Sequence, residues 1–200
     1  MNLNLVFNSL AIIVKIVLLG DGSVGKTTLR ERFMGKGFKS TYLPTLGAEF
    51  VSKVLPIPRP TKTISLRFQI WDLAGQPTFK QIRKLYYRDS VGLILVFDIT
   101  RPESLYNLKT WLSEVITYSG SKKLSVVILG NKIDLRELDW VRAEVITQTI
   151  DEINKVDTLD SPAIFYQTSA KTGENVNLAF ETIGKKILDR YEQLNYFNEV

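Results

Sequence analysis

The chain has 200 residues, 44% of them hydrophobic, which is enough to bury a full core and sets an expectation of one domain. It contains neither cysteine nor histidine, which excludes disulfides, thiolate or imidazole zinc sites, a cysteine nucleophile, an imidazole base and any prenyl or palmitoyl acceptor. The net charge of +5 comes from scattered basic residues rather than a basic block; this balance suits nucleotide phosphates or a lipid surface, and nucleic acid is not expected.

Residues 1–11 read as an N-terminal extension, 12–194 as the domain and 195–200 as a short tail. The stretch Leu3–Leu19 is apolar but broken by Asn4, Asn8, Ser9 and Lys15, and it lacks a basic start and a small-residue cleavage site. It is therefore neither a signal peptide nor a convincing membrane span. Leu3, Leu5, Val6 and Phe7 are candidates for membrane contact, whereas Asn2 behind Met1 rules out N-myristoylation.

The apolar run Ile12–Leu19 predicts a strand, and about 26–35 predicts a helix. Between them lies Gly20-Asp21-Gly22-Ser23-Val24-Gly25-Lys26-Thr27, which fits G-x-x-x-x-G-K-[ST]. Strand, glycine loop and helix are the context this phosphate-binding loop needs. The glycines let several N–H groups point at one anion, and the helix N-terminus adds about half a positive charge. Lys26 reaches the β- and γ-phosphates, and the Thr27 hydroxyl can bind Mg²⁺.

Phe38 to Leu46 reads as a loop, with Pro44 opposing helix. Thr45 can offer Mg²⁺ a second hydroxyl, although alone it reads as a plain turn threonine; Phe38 can cover a base edge or serve as a hinge. Glu49–Ile57 and Ile64–Trp71 alternate like hairpin strands, with Pro56, Pro58 and Pro60 placed at their turn. Next comes Trp71-Asp72-Leu73-Ala74-Gly75-Gln76. Asp72 at a strand end can hold Mg²⁺, Gly75 can bring its N–H to a terminal phosphate, and the Gln76 amide can orient an attacking water.

Val91–Phe97 is a continuous apolar run, as expected of a strand buried on both faces, and Leu124–Leu129 reads as another buried strand. Helices are expected from Pro102 to about Tyr118, over about 141–155 and over Asn175–Gln193, and a short strand over Ala163–Gln167. This alternation predicts an α/β fold, and the motifs fall at the carboxyl edge of its sheet.

Two motifs there speak to a base. Asn131-Lys132-Ile133-Asp134 follows a buried strand. The Asp134 carboxylate can accept from N1–H and the 2-amino group of guanine, donors that adenine lacks, so the wrong base leaves it unpaired. Asn131 can bond the base edge or tie loops together, and the Lys132 stem can lie over the purine. In Thr168-Ser169-Ala170-Lys171, the Ala170 N–H can donate to a purine 6-oxo group; the stretch also reads as a plain strand-to-helix connection.

In this order, these motifs resemble those of the Ras-like small GTPases over about residues 12–190, most closely the Rab branch through Phe50, Trp71 and Tyr86-Tyr87-Arg88. The resemblance implies the P-loop NTPase (Ras-like) fold: six strands, mostly parallel with one antiparallel edge hairpin strand, and five helices on both faces. It implies GTP and GDP as ligands with Mg²⁺, held by Gly20 through Thr28, Phe38, Gly75, Asn131, Lys132, Asp134, Ser169, Ala170 and Lys171. Thr27, Thr45 and Asp72 would serve the metal. Gln76, Lys26 and Gly75 would be catalytic, and Thr45 would sense the γ-phosphate in switch I.

Such a protein is a GTPase switch, here placed in membrane traffic or in cytoskeletal or polarity signalling. Its partners would be effectors, an exchange factor and a GTPase-activating protein; it would be a monomer in the cytoplasm or peripheral on membranes. The other reading is a GTP-locked module with little hydrolysis. No arginine stands out as a cis contributor, so unassisted turnover is expected to be slow.

The chain departs from the family in four places. Leu73 replaces threonine at a position that is not a phosphate ligand, Pro77 would stiffen the start of the switch II helix, and the turn at 56–60 is proline-rich. The sequence ends Asn198-Glu199-Val200 without the prenylated cysteines of Rab proteins. Gly22 is expected to be required because a side chain there would crowd Gln76.

Overall fold

The computed structural model describes residues 11–38, 44–121, 123–135 and 140–194. Residues 1–10, with the membrane-contact candidates, and the tail at 195–200 lie outside it.

Six strands form one sheet: β1 (Ile12–Leu19), β2 (Ala48–Pro58), β3 (Thr63–Leu73), β4 (Gly92–Asp98), β5 (Ser125–Asn131) and β6 (Ile164–Thr168), in the order β2-β3-β1-β4-β5-β6. All neighbouring pairs run parallel except β2 with β3. β4 and β5 are buried at every position, which is why their central residues, Leu93–Phe97 and Val126–Leu129, are apolar. β1 pairs with β3 on one side and β4 on the other, so its carboxyl end is the point where strand order reverses, the usual place for a ligand crevice.

Six α-helices are seen among the described residues: α1 (Lys26–Phe33), α2 (Lys80–Tyr87), α3 (Pro102–Tyr106), α4 (Leu108–Ser119), α5 (Ala143–Asn154) and α6 (Val176–Gln193). They cover both faces of the sheet and close two cores. One gathers Ile16, Leu29, Phe33, Phe68 and Phe180 between the sheet and α1 and α6; the other gathers Val17, Leu95, Trp111, Val115 and Ile146 under α2 to α5. Phe33 and Phe180 stack with centroids 3.9 Å apart and planes 6° apart, pinning α1 to α6.

Two expectations change. The helix expected from Pro102 to about Tyr118 is two helices meeting at Asn107. Of the three prolines expected at the hairpin turn, two are strand residues, Pro56 and Pro58 pairing with Ser65 and Thr63, while Pro60 lies in the turn, which is tied by Arg59 N–H to the Lys62 carbonyl at 2.9 Å. β2 is an edge strand, so a proline whose missing N–H faces outward costs the ladder no bond. Pro77 opens a single 3₁₀ turn, Pro77–Phe79, that leads directly into α2.

Candidate active site

The crevice is built from five loops at the carboxyl ends of the strands. After β1 the chain turns through Gly20 to Gly25, then enters α1 at Lys26. Gly25 has φ +101°, and a Cβ there would collide with the Asn131 amide, so this position accepts only glycine. Gly75 is bound by close approach instead: its Cβ would lie 2.5 Å from the Asp21 carbonyl carbon and the Gly22 nitrogen. The loop after β3 is therefore pressed onto the phosphate loop. A Cβ on Gly22, by contrast, would meet nothing within 4 Å, so the expected crowding of Gln76 does not arise.

Lys26 is buried, and its Nζ donates to the carbonyls of Gly20 and Asp21, both at 2.7 Å. Burial lowers its pKa to about 8, partly opposed by Asp72 and Asp21. Asp21 lends the loop its backbone, while its side chain turns away to accept from Asn107 Nδ2 and Trp111 Nε1, both at 2.8 Å.

Thr27 Oγ1 and Thr45 Oγ1 lie 2.8 Å apart, so the two hydroxyls expected to serve a metal meet across the loop. Asp72 is fully buried and neither of its oxygens has a hydrogen-bond partner. Burial raises its pKa, opposed by the Thr27 hydroxyl and by the charges of Lys26 and Arg30. A buried carboxylate beside two hydroxyls fits a hard, oxygen-seeking cation such as Mg²⁺, whose remaining positions go to water and phosphate.

Gln76 has a buried amide oxygen without a partner. Its backbone is fixed by Arg83, whose Nη1 donates to the carbonyls of Gln76 at 2.8 Å and Ala74 at 3.0 Å. Arg83 in turn pairs with Glu114 at 3.4 Å and lies over the Trp111 ring at 4.5 Å, while Tyr87 donates to Glu114 at 2.9 Å. Arg101 Nη2 donates to the Gly22 carbonyl at 2.9 Å and Nε pairs with Asp98 at 3.3 Å. A cavity of about 470 Å³ opens here, lined by Gly22, Gln76, Arg83, Arg101 and Trp111. No motif in the sequence marks Arg83 or Arg101, because Glu114 and Trp111 for the one and the Gly22 carbonyl for the other are brought near only by the fold.

At the other end, Asn131 ties the loops: Nδ2 donates to the Val24 carbonyl at 2.8 Å, and Oδ1 accepts from Ala170 N–H at 3.1 Å and the Thr168 hydroxyl at 3.3 Å. The Ala170 N–H expected to face a purine 6-oxo group is thus engaged by Asn131. Asp134 Oδ1 accepts from the Ser169 hydroxyl at 2.6 Å, which aims the carboxylate. Lys132, at φ +74°, pairs with the buried Asp98 at 2.6 Å; burial alone would raise the Asp98 pKa, but Lys132 and Thr100 outweigh it and hold the carboxyl below its usual range. Lys171 is exposed, with its carbonyl bonded by Arg32, and Phe38 is exposed beyond α1. Thr28 follows Thr27 in the first turn of α1, and Ser23 holds φ +64° in the loop.

Residues 15–189 match the model of the Ras family. The chain belongs to the Ras family of small GTPases. It is 34% identical over 192 residues to the Ras-related protein Rab7 of Drosophila melanogaster, covering 94% of this chain and 86% of that one. It is 39% identical over 176 residues to the Ras-related protein RIC1 of rice (88% and 81% covered), and 34% identical over 192 residues to the GTP-binding protein YPT52 of Saccharomyces cerevisiae (88% and 82%). This Ras-family GTPase is Rab-like. Its Trp71 ring lies 5.0 Å from both Phe50 and Tyr86, forming a partly exposed aromatic trio between the switches, whereas Tyr87 turns into the core. Among the described residues, no helix is long and apolar enough to cross a membrane.

Proposed function

We propose that residues 12–194 form a G domain that binds GTP and GDP with Mg²⁺ and hydrolyses GTP by water attack on the γ-phosphate. The observation that carries this reading is the meeting of the Thr27 and Thr45 hydroxyls beside the fully buried Asp72 carboxylate. The phosphates would lie on the N–H groups of Gly20 to Thr28, with Lys26 exchanging its two carbonyl partners for the β- and γ-oxygens. Mg²⁺, held by Thr27, Thr45 and Asp72, would neutralise charge on those oxygens. The Gly75 N–H would face the γ-phosphate, and the free Gln76 amide oxygen would accept from the attacking water. Asp134, aimed by Ser169, would read guanine while the Lys132 stem covers the base. Without an arginine from a partner, turnover on the order of 10⁻⁴ s⁻¹ is expected, the unassisted scale of Ras.

In this reading, closure of Thr45 and Gly75 on the γ-phosphate orders the two switches for effectors, and exchange and activating proteins set the cycle. The aromatic trio and the Rab-like relatives support a role in membrane traffic, exercised by a monomer acting peripherally on membranes. Chromatography of the nucleotide that copurifies in Mg²⁺ buffer tests the proposal. GDP is the expected result. GTP would favour the locked module, and an adenine nucleotide, or no uptake of added GTP, would overturn the reading.

A further inference from the structure

Beside Asp72 stands a cation that phosphate binding does not use. Arg30 lies one turn beyond Thr27 on α1 and is 4% exposed. Its Nη1 sits 2.6 Å from Glu49 Oε2 and 3.8 Å from Asp72 Oδ2, while Nη2 is 4.0 Å from Glu31. One buried guanidinium nitrogen therefore faces two carboxylates. One belongs to the metal site; the other is the second residue of β2, four positions beyond Thr45.

A guanidinium keeps its charge at any working pH. A carboxylate shut away from water needs a countercharge, and a fixed positive charge a few ångströms from a dication site repels the dication.

We propose that Arg30 is the resident counter-cation of Asp72: it competes electrostatically with Mg²⁺ and moves between Glu49 and Asp72 as the metal binds and leaves. The proposal rests on the Mg²⁺-nucleotide reading above. With metal bound, Arg30 belongs to Glu49 and draws the start of β2 onto α1. When metal leaves, Arg30 turns to Asp72, and the half-exposed Glu49 is released to water. Loss of metal and loosening of the strand leading from Thr45 then become one event, so this chain would couple nucleotide release to Mg²⁺ through a salt-bridge exchange.

The test is release of N-methylanthraniloyl-GDP from the full chain, followed by fluorescence against free Mg²⁺. The half-saturating Mg²⁺ is expected to fall about tenfold in Arg30→Met, as removal of one nearby unit charge predicts, and to stay at the wild-type value in Arg30→Lys. It is expected to rise severalfold in Glu49→Gln, which leaves Arg30 uncompensated. Unchanged or weaker Mg²⁺ binding in Arg30→Met overturns the proposal. If that variant does not fold, an unchanged Glu49→Gln overturns it. A wild-type chain that takes up no labelled GDP overturns the nucleotide reading itself, whereas normal uptake with equal Mg²⁺ dependence in all variants sinks the Arg30 proposal alone.

Discussion

Gln76 carries a buried amide oxygen with no partner and a carbonyl held by Arg83. The backbone is fixed while the side chain keeps its acceptor for a water. Gln76→Leu keeps the bulk and removes the acceptor, so single-turnover hydrolysis should slow on the order of tenfold or more with GDP affinity unchanged. Equal rates would refute the assignment. Asp134 makes the complementary case for the base. Asp134→Asn replaces one of two acceptor oxygens with a donor, so guanine-over-adenine preference in competition binding should fall about 100-fold or more. These proposed roles could be assigned from the sequence because each rests on a short motif with fixed spacing. Arg30, Arg83 and Arg101 were not: their meaning comes from Glu49, Glu114 and the Gly22 carbonyl, which only the fold brings near.

Among the elements, α2 and α4 are joined by a buried polar cluster rather than by apolar packing alone. Arg83 of α2 meets Glu114 and Trp111 of α4, and Tyr87 closes the cluster from the next turn. Burial, with the negative charge of Glu114 added, pushes the Tyr87 hydroxyl well above its usual pKa, so it remains a donor throughout the working range. Arg83→Met should strand Glu114 and release the Ala74 and Gln76 carbonyls together. A loss of about 3–5 kcal/mol is expected, read as a drop in melting temperature of roughly 10 °C. Hydrolysis should fall more than nucleotide affinity; a variant that melts like wild type would show that the cluster is not a clamp. The strands β4 and β5 were legible as apolar runs, and the P-loop helix by its motif. The break at Asn107 was not, since Pro102 to Tyr118 carries no internal glycine or proline to mark it.

The molecule as a whole holds Lys26 as a buried charge when no phosphate is bound. Its pKa is about 8 in the fold against 10.5 ordinarily. Below pH 8 the folded state must carry the desolvated ammonium. Between pH 8 and 10.5 the unfolded chain binds the extra proton, so stability rises with pH across that window, by about 3 kcal/mol. The urea midpoint of the nucleotide-free protein, referred to Lys26→Met, should rise over this range, and bound GDP should abolish the rise; a flat difference would disprove it. The Phe33–Phe180 stack joins the first and last helices. Phe180→Ala should cost about 3–5 kcal/mol, measured by urea unfolding, and a loss below 1 kcal/mol would place the core's weight elsewhere. The α/β fold class was readable because alternation and apolar runs report burial directly, whereas the strand order β2-β3-β1-β4-β5-β6 came only with the fold. The reach of the hairpin strands was not, because proline reads as a turn signal until the strand is known to be an edge. That edge has a consequence for solubility. Pro56 and Pro58 share one parity and point their donor-less nitrogens away from β3, so residues 55–58 of β2 give an incoming strand no N–H to grip. Sheet extension is therefore disfavoured at the hairpin end of this edge, and a chain adding to β2 would have to pair with the stretch nearer Thr45.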